Sequence, residues 1–252
     1  MASVWLCALV ALLAFGAGLF GLYLHERLPE EHATGSRDMI GAIIGLVSLL
    51  LALVLGTLIG SSYSFFSTQK SELETFAARA IQLDLALANF GPETLPAREK
   101  MRETLLQVYN SVWSRGVSGG ADLSVAEPLP HLKAMDQYVA SLDPKTPAQR
   151  QFAATAAVSA GIMEQTRILI SLQLASPISW PLVVIVVSWA MILFCGFGVM
   201  SRVTPATINA LALGAFAVGS ALFLILELNQ PFNGLFRVPS GAFDQMLAVL
   251  AK

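Results

Sequence analysis

Residues 40–90 read IGAIIGLVSLLLALVLGTLIGSSYSFFSTQKSELETFAARAIQLDLALANF, and this stretch decides the fold. Its first part, residues 40–63, is apolar and uncharged, whereas residues 64–90 carry charges but keep an apolar stripe at helical spacing. No proline interrupts the stretch before Gly91-Pro92, and glycine followed by proline is typical of a helix end. The pattern predicts one long helix that begins in a bilayer and continues into water.

The apolar stripe in the second part of this helix follows one step of seven and then steps of three and four, which is a heptad pattern. Such a stripe predicts packing on other helices, either of the same chain or of a neighbouring copy. Its members are Phe66, Leu73, Phe76, Ala80, Leu83, Leu87 and Phe90.

The composition places the whole chain in the membrane class. Only 13% of the 252 residues are charged, about half the share usual in soluble domains. The apolar residues are concentrated in four runs, at residues 4–24, 40–63, 180–200 and 207–228, each long enough to cross a bilayer. The short turn at 201–205 predicts that the last two form an antiparallel hairpin. The resulting fold class is an all-α integral membrane protein with four transmembrane helices.

The predicted domains follow from these runs. Residues 1–63 hold transmembrane helices one and two, and residues 64–179 form a cytoplasmic helical bundle inserted between helices two and three. Residues 180–228 form the hairpin of helices three and four. The tail, residues 229–252, is mildly amphipathic and either lies along the membrane surface or packs on the soluble helices.

The predicted orientation rests on lysine and arginine. With four spans, the termini and the central segment share one side, which holds ten Lys/Arg in residues 64–179 plus Arg237 and Lys252. The other side has only Arg27, Arg37 and Arg202. Positive residues accumulate on the cytoplasmic side, so we predict a multi-pass protein of the cell membrane, the inner membrane in a bacterium, with both termini cytoplasmic.

One uncharged face of the second span is a candidate pore lining. Two apolar residues give way to four hydroxyls at steps of four and three, consistent with a narrow apolar constriction that opens into a wetter vestibule. Small hydroxyl residues also pack against neighbouring helices and bond to their own backbone, so both interpretations stand. The candidate pore face comprises Leu50, Val54, Thr57, Ser61, Ser64 and Thr68.

Other polar groups give weaker signals. Glu227, at the end of the fourth span, is a functional candidate because a carboxylate in an apolar run is costly. The alternative is an interfacial carboxylate that meets water or Arg237. The polar residues 25–38, with His25 and His32, predict a solvated loop rather than a metal site, because their spacing matches no ligand pattern. Cys7 and Cys195 lie in apolar runs and are expected to be buried or lipid-facing thiols.

No catalytic constellation is present, and the chain is not predicted to be an enzyme. It contains no G-x-S-x-G, P-loop or H-E-x-x-H pattern, and no cofactor or metal is implied. His131 has no placeable serine or cysteine partner. The formal net charge of −2 and the lack of a basic run exclude nucleic acid as an expected partner.

The segment GSALFLILELNQPFNGL at residues 219–235 resembles the closing signature of bacterial bestrophin-like membrane proteins. The motifs SSY at residues 61–63 and NFGPE at residues 89–93 are similar to earlier landmarks of the same family. The likeness covers most of residues 40–250.

The resemblance implies four spans, cytoplasmic termini and a pentamer in which the second span lines a central ion pore. Partners would be membrane lipid, further copies of the chain and small inorganic ions. Animal bestrophins carry an acidic calcium-binding cluster after the last span. Here the tail has only Asp244, so calcium gating does not carry over.

Two functions are therefore expected. The first is a bestrophin-like oligomeric ion channel, anion-conducting or non-selective, whose pore is lined by the second span. The second is a non-conducting membrane scaffold or sensor that acts through its cytoplasmic helices. Fold can persist where conduction is lost, so the resemblance leaves both open.

Overall fold

The structure, a computed structural model, describes residues 2–27, 30–114, 129–174, 180–232 and 234–251, with the backbone alone at 2, 30–37, 114 and 129–134. The regular secondary structure of these residues is helical, and they contain no β-strand. The eight α-helices are α1 (Ala2–Arg27), α2 (Glu30–Phe90), α3 (Leu95–Tyr109), α4 (Leu129–Ala140), α5 (Pro147–Leu174), α6 (Trp180–Met200), α7 (Pro205–Leu228) and α8 (Gly241–Leu250). Among the described helices, four are long and apolar enough to cross a membrane: α1, α2, α6 and α7.

Helix α2 is continuous over 61 residues and contains the whole stretch that was predicted to be one helix. It ends at Phe90 as predicted, because Gly91 has a φ of 152°, a conformation that side chains disfavour, and Pro92 follows. The Thr94 hydroxyl contacts the carbonyl oxygens of Leu87 at 2.6 Å and Gly91 at 2.8 Å, which satisfies acceptors at the helix end.

The predicted solvated loop at residues 25–38 is wrong for most of its length. Helix α1 continues to Arg27 and α2 begins at Glu30, so residues 25–27 and 30–38 are helical. The physical reason is the sequence around Pro29. Proline breaks the preceding helix but suits the start of the next, and acidic residues such as Glu30 and Glu31 favour a helix N-terminus.

The chain divides into two compact units. The first, called here the span unit, comprises residues 1–65 and 178–229. In it, α1 packs against both α6 and α7, whereas α6 and α7 touch each other little despite their short turn. The predicted hairpin is therefore a pair of helices joined by residues 201–204 and held together mainly through α1.

Glycines bring α1 and α6 into backbone contact. A methyl group at Gly21 would lie 2.1 Å from the Cys195 carbonyl oxygen, and one at Gly198 would lie 2.3 Å from the Gly18 carbonyl oxygen. These distances are far below van der Waals contact, so only glycine permits this approach. Elsewhere in the span unit, α2 packs on α6 through Ile44, which lies against Gly196.

The second unit, called here the helical unit, comprises residues 66–177 and 230–252. Its core contains the predicted apolar stripe of α2, with Leu73, Phe76, Leu83 and Leu87 fully or nearly fully buried. Helices α3, α4, α5 and α8 each contribute apolar side chains to the same core. The stripe thus packs within its own chain, which was one of the two predicted partners.

The tail packs on the helical unit, the second of its two predicted arrangements. Phe243 of α8 stacks on Phe76 of α2 with ring centroids 5.9 Å apart, and Trp113 lies 5.1 Å from Phe243. The Trp113 indole also donates a 3.1 Å hydrogen bond to the Val238 carbonyl oxygen. Phe232, Val238 and the buried side of α8 are therefore part of the core that surrounds the second half of α2.

Candidate functional site

The candidate pore face lies along one exposed side of α2. Leu50, Thr57, Ser61, Ser64 and Thr68 are exposed, and Val54 is half-buried. Each residue turns an ideal helix by 100°, so the six residues share one side through five turns. Leu50 is 40% exposed although it is a large apolar residue in the middle of the apolar run. The chain itself therefore covers this side of α2 only in part.

At the apolar end of the candidate pore face, Val54 packs partly against other helices of the span unit. Val54 packs against a buried cluster of the span unit that includes Leu51 of α2 and Val186 of α6. Its side chain therefore lies at the edge between the covered and uncovered sides of the helix. A residue in this position is held in one orientation by its neighbours while part of its surface faces outward.

The hydroxyl end of the face is bonded in part to its own helix. The Thr57 hydroxyl donates a 2.9 Å hydrogen bond to the Val54 carbonyl oxygen one turn earlier. The proton is used by this bond, and the oxygen lone pairs remain for a ligand or water. This hydrogen bond agrees with the interpretation that the hydroxyls bond to their own backbone. The free lone pairs still allow Thr57 to contact water in a pore.

Ser62, beside the candidate face, makes a polar contact that the helical spacing did not indicate. It is buried, and its hydroxyl oxygen accepts a 2.8 Å hydrogen bond from the Asn229 side-chain amide. Asn229 also donates to the Ile225 carbonyl oxygen at 2.7 Å. Asn229 belongs to the predicted closing signature, so one polar bond ties that signature to α2 next to Ser61.

Glu227 is buried, with 3% of its surface exposed. It lies in the last turn of α7, where its neighbours Leu226 and Leu228 are buried too. Leu226 belongs to the same apolar cluster as Cys7 of α1, so the Glu227 carboxylate lies next to tightly packed residues of the span unit. This placement fits poorly with an open interfacial carboxylate and keeps Glu227 as a candidate for a structural or functional charge.

A second buried polar contact lies in the helical unit. Gln69 of α2 is fully buried and donates through its side-chain nitrogen to the side-chain oxygen of Gln173 of α5. Within the described part of the chain, the Gln69 side-chain oxygen has no hydrogen-bond partner. The pair joins two residues 104 positions apart, so no periodicity in the sequence could have indicated it.

The described residues offer no group of three or more metal-ligating side chains. His25 is bonded instead to the backbone: its Nδ1 atom lies 2.7 Å from the Val199 carbonyl oxygen. Because a carbonyl only accepts, this nitrogen carries the proton. The side chains of Glu30, Glu31, His32 and His131 lie outside the described residues.

Comparisons with known proteins agree on one family. The family model of the Bestrophin-like domain matches residues 10–243. Three crystal structures of mutant forms of a bacterial bestrophin homolog from Klebsiella pneumoniae share the fold. Two have 14% sequence identity, TM-scores of 0.67 and 0.69, and 97% of each chain covered. The third has 15% identity, a TM-score of 0.59 and 96% coverage of each chain. No curated protein matches the sequence.

Proposed function

This chain belongs to the Bestrophin-like family, a family known for ion channels, and from that premise we propose that it forms an oligomeric ion channel lined by α2. The observation that carries the proposal is the uncovered face of α2. Leu50, a large apolar residue, is 40% exposed, and the hydroxyl residues that follow it on the same side are exposed as well. Several copies arranged around one axis would enclose this face and give it a role.

The proposed position of the channel follows from the four apolar helices. We place α1, α6, α7 and the first half of α2 in the cell membrane, with both termini and the helical unit in the cytoplasm. Lysine and arginine near the membrane support this orientation. Four of them lie on the proposed cytoplasmic side, Lys70, Arg79, Arg167 and Arg237, against Arg27, Arg37 and Arg202 on the other side. The domains are then those predicted: 1–63 and 180–228 in the membrane, and 64–179 and 229–252 in the cytoplasm.

The proposed cargo is small inorganic ions, either anions or both signs. From Ile40 to Gln69, α2 carries no lysine, arginine, aspartate or glutamate. A pore lined by this segment has no ring of fixed charge, which is the usual device for strong charge selection. Weak selectivity is therefore expected, and the reversal potential in a salt gradient would measure it.

The first experiment is the mass of the detergent-solubilised protein by native mass spectrometry. A complex of five 26.9 kDa chains is the result expected from the family resemblance. A monomer or dimer would leave no central path lined by α2, and the channel proposal would be abandoned.

The second experiment is planar-bilayer recording of Leu50→Ala and Val54→Ala. If the two residues form the apolar constriction, the smaller side chains should widen and wet it, so conductance or open probability should rise. Leu49→Ala is the matched control, because Leu49 is adjacent, also exposed and directed 100° away. Equal currents in all three variants and the wild type would remove α2 from the pore.

The alternative function is a non-conducting scaffold or sensor. It is favoured by the helical unit, which has a core of its own built from five helices. A complex that carries no current at any voltage or salt, in the wild type and in Val54→Ala, would support this alternative.

A further inference from the structure

Ser62 is the one buried residue in a long and sparsely covered part of α2. Among residues 52–68, all of which the structure describes, no other residue is buried, and Ser62 is 4% exposed. A methyl group added at Gly56 or Gly60 would meet no atom within 4 Å. Half-buried residues such as Ile59 do pack against the apolar cluster of the span unit. The hydrophobic effect is non-directional, however, so these contacts define the rotation of α2 about its own axis less sharply than a hydrogen bond does.

The partner of Ser62 is Asn229, which is held between buried neighbours. It directly follows buried Leu228, the last residue of α7, and buried Pro231 comes two positions later. The Asn229 side-chain nitrogen lies 2.7 Å from the Ile225 carbonyl oxygen and 2.8 Å from the Ser62 hydroxyl oxygen. Because a carbonyl only accepts, the contact with Ile225 fixes the orientation of the amide, with its nitrogen on this side. Asn229 therefore presents a hydrogen-bond donor to Ser62 in a defined position.

The direction of Ser62 on α2 is linked to the direction of the candidate pore face. Each residue turns an ideal helix by about 100°, so the six residues of that face are centred about 120° around α2 from Ser62. Ser61 and Ser64, the hydroxyl residues nearest to Ser62, lie about 100° and about 160° from it toward that side. A rotation of α2 at this level moves Ser62 relative to Asn229 by the same angle that it moves the two hydroxyls.

A modest rotation of α2 would break the contact between Ser62 and Asn229. A side-chain oxygen lies about 4 Å from the axis of an ideal helix, so a rotation of about 30° displaces it by about 2 Å. Hydrogen bonds between nitrogen and oxygen span about 2.7–3.2 Å, and this one is 2.8 Å long. The bond therefore favours one rotational setting of α2 and, with it, one direction of the hydroxyl end of the candidate pore face.

We propose that Asn229 is a positioning residue of the pore: through its bond to Ser62 it sets the rotation of α2 that turns the hydroxyl end of the candidate pore face toward the ion path. Asn229 acts through α2 and is not itself assigned to the pore lining. The inference rests on the proposed function, because the rotation of α2 affects conduction only where α2 lines the pore. Loss of the bond should spread α2 over several rotational settings.

The test is cysteine accessibility of the full chain in planar bilayers, after Cys7→Ala and Cys195→Ala have removed the native thiols. A charged, water-soluble methanethiosulfonate reagent modifies a cysteine that water reaches, and modification inside a pore changes the current. One probe is Ser61→Cys on the candidate pore face. The second is Gly60→Cys, which is adjacent, also exposed and directed about 100° away. The measured quantity is the ratio of the two rates of current change, which should favour Ser61→Cys in the otherwise native chain.

Two substitutions remove the bond from its two ends: Asn229→Leu removes the donor and Ser62→Ala the acceptor. A neutral hydrogen bond shifts an equilibrium by about two- to tenfold, so the rate ratio should fall by that factor in each variant. It should fall no further in the double variant, because both changes remove the same bond. Ser62→Thr keeps the hydroxyl and should keep the ratio.

Ser48→Ala is the matched control. Ser48 lies about four turns earlier on nearly the same side of α2 and is half-buried. Its hydroxyl donates a 2.8 Å hydrogen bond to the Ile44 carbonyl oxygen of its own helix, so its removal breaks no contact between α2 and another segment. The rate ratio should therefore be unchanged in Ser48→Ala.

Native mass spectrometry first checks that each variant assembles like the wild type, and Ser62→Ala carries the test if Asn229→Leu does not assemble. Wild-type currents with an unchanged rate ratio in Ser62→Ala would overturn the positioning role and leave the channel proposal intact. Effects of the two substitutions that multiply in the double variant would do the same, because they would be independent. A wild type without current, or a Ser61→Cys variant whose current the reagent leaves unchanged, would overturn the pore lined by α2 and the positioning role with it.

Discussion

The ion pair between Asp84 of α2 and Arg98 of α3 should stabilise the helical unit measurably. Arg98 Nε donates to one carboxylate oxygen at 2.7 Å, and its Nη2 donates to the other at 2.8 Å. The side chains are 27% and 14% exposed for Arg98 and Asp84, so solvent screens the pair less than an open surface pair. Two parallel hydrogen bonds between charged groups form the strongest common geometry for such a pair.

The magnitude follows from the geometry. Two unit charges about 4 Å apart attract by about 4 kcal/mol at an effective dielectric constant of about 20. Desolvation of the two groups offsets part of this energy, and hydrogen bonds to charged groups contribute about 1.5–3 kcal/mol net. We therefore expect Arg98→Ala to lower the free energy of unfolding by about 2 kcal/mol, and Tm by about 4–8 °C in a chain of this size.

The assay is thermal unfolding in detergent, with a double-mutant cycle of Arg98→Ala and Asp84→Ala. Lys100→Ala is the control on the same helix, because Lys100 and Glu103 are 3.7 Å apart but 63% and 66% exposed. Such exposed pairs contribute about 0–1 kcal/mol. Equal Tm values for Arg98→Ala and Lys100→Ala, or a coupling energy near zero, would refute the reasoning.

The alkaline side of the pH profile gives a further check. The hydrogen bond to Asp84 raises the pKa of Arg98 above its ordinary value. A raised pKa in the folded state means that the stabilisation is fully present below the unfolded pKa and is lost only as pH rises through the folded pKa. Both values lie far above neutrality, so the Tm difference between wild type and Arg98→Ala should be constant from about pH 7 to about pH 10.

Two further substitutions test packing in each unit. Gly21→Ala should lower the free energy of unfolding by about 1–3 kcal/mol in thermal unfolding, because its methyl group would enter the Cys195 backbone. Gly16→Ala has open space and should be neutral or stabilising; similar losses in both would contradict the close contact. Gln69→Leu should leave Tm unchanged or raise it, because it removes a buried oxygen without a described partner, while half-buried Gln173 can turn to water. A Tm drop of about 5 °C or more would show that the Gln69 amide has a partner of consequence.

Periodicity predicted the parts of the fold that depend on local sequence. The four apolar helices, the unbroken course of residues 40–90 and the helix end at Phe90 all follow from composition, spacing and the Gly91-Pro92 pair. The burial of Leu83 and Leu87 follows from the heptad stripe. In each case the signal lies within a few helical turns, which is the range over which hydrophobic patterns are informative.

Two kinds of long-range contact could not be predicted from local patterns: polar contacts between distant residues, and the close backbone contact between α1 and α6. The bond from Asn229 to Ser62 joins residues 167 positions apart, and either residue alone is unremarkable in a membrane chain. The glycines of α1 are visible in the sequence as small residues, but no local pattern identifies α6 as the helix that they contact. The predicted polar loop at residues 25–38 is wrong because acidic residues that follow a proline favour a helix start.

The second half of α2 shows why exposure does not follow from hydrophobicity alone. Neighbouring residues such as Gln82 and Leu83 point 100° apart, and Leu83 is buried whereas Gln82 is exposed. The apolar stripe is conspicuous in the sequence, and it lies in the core of its own chain. Leu85 lies off this stripe and is 61% exposed, so only the folded chain shows which leucines of this helix it covers.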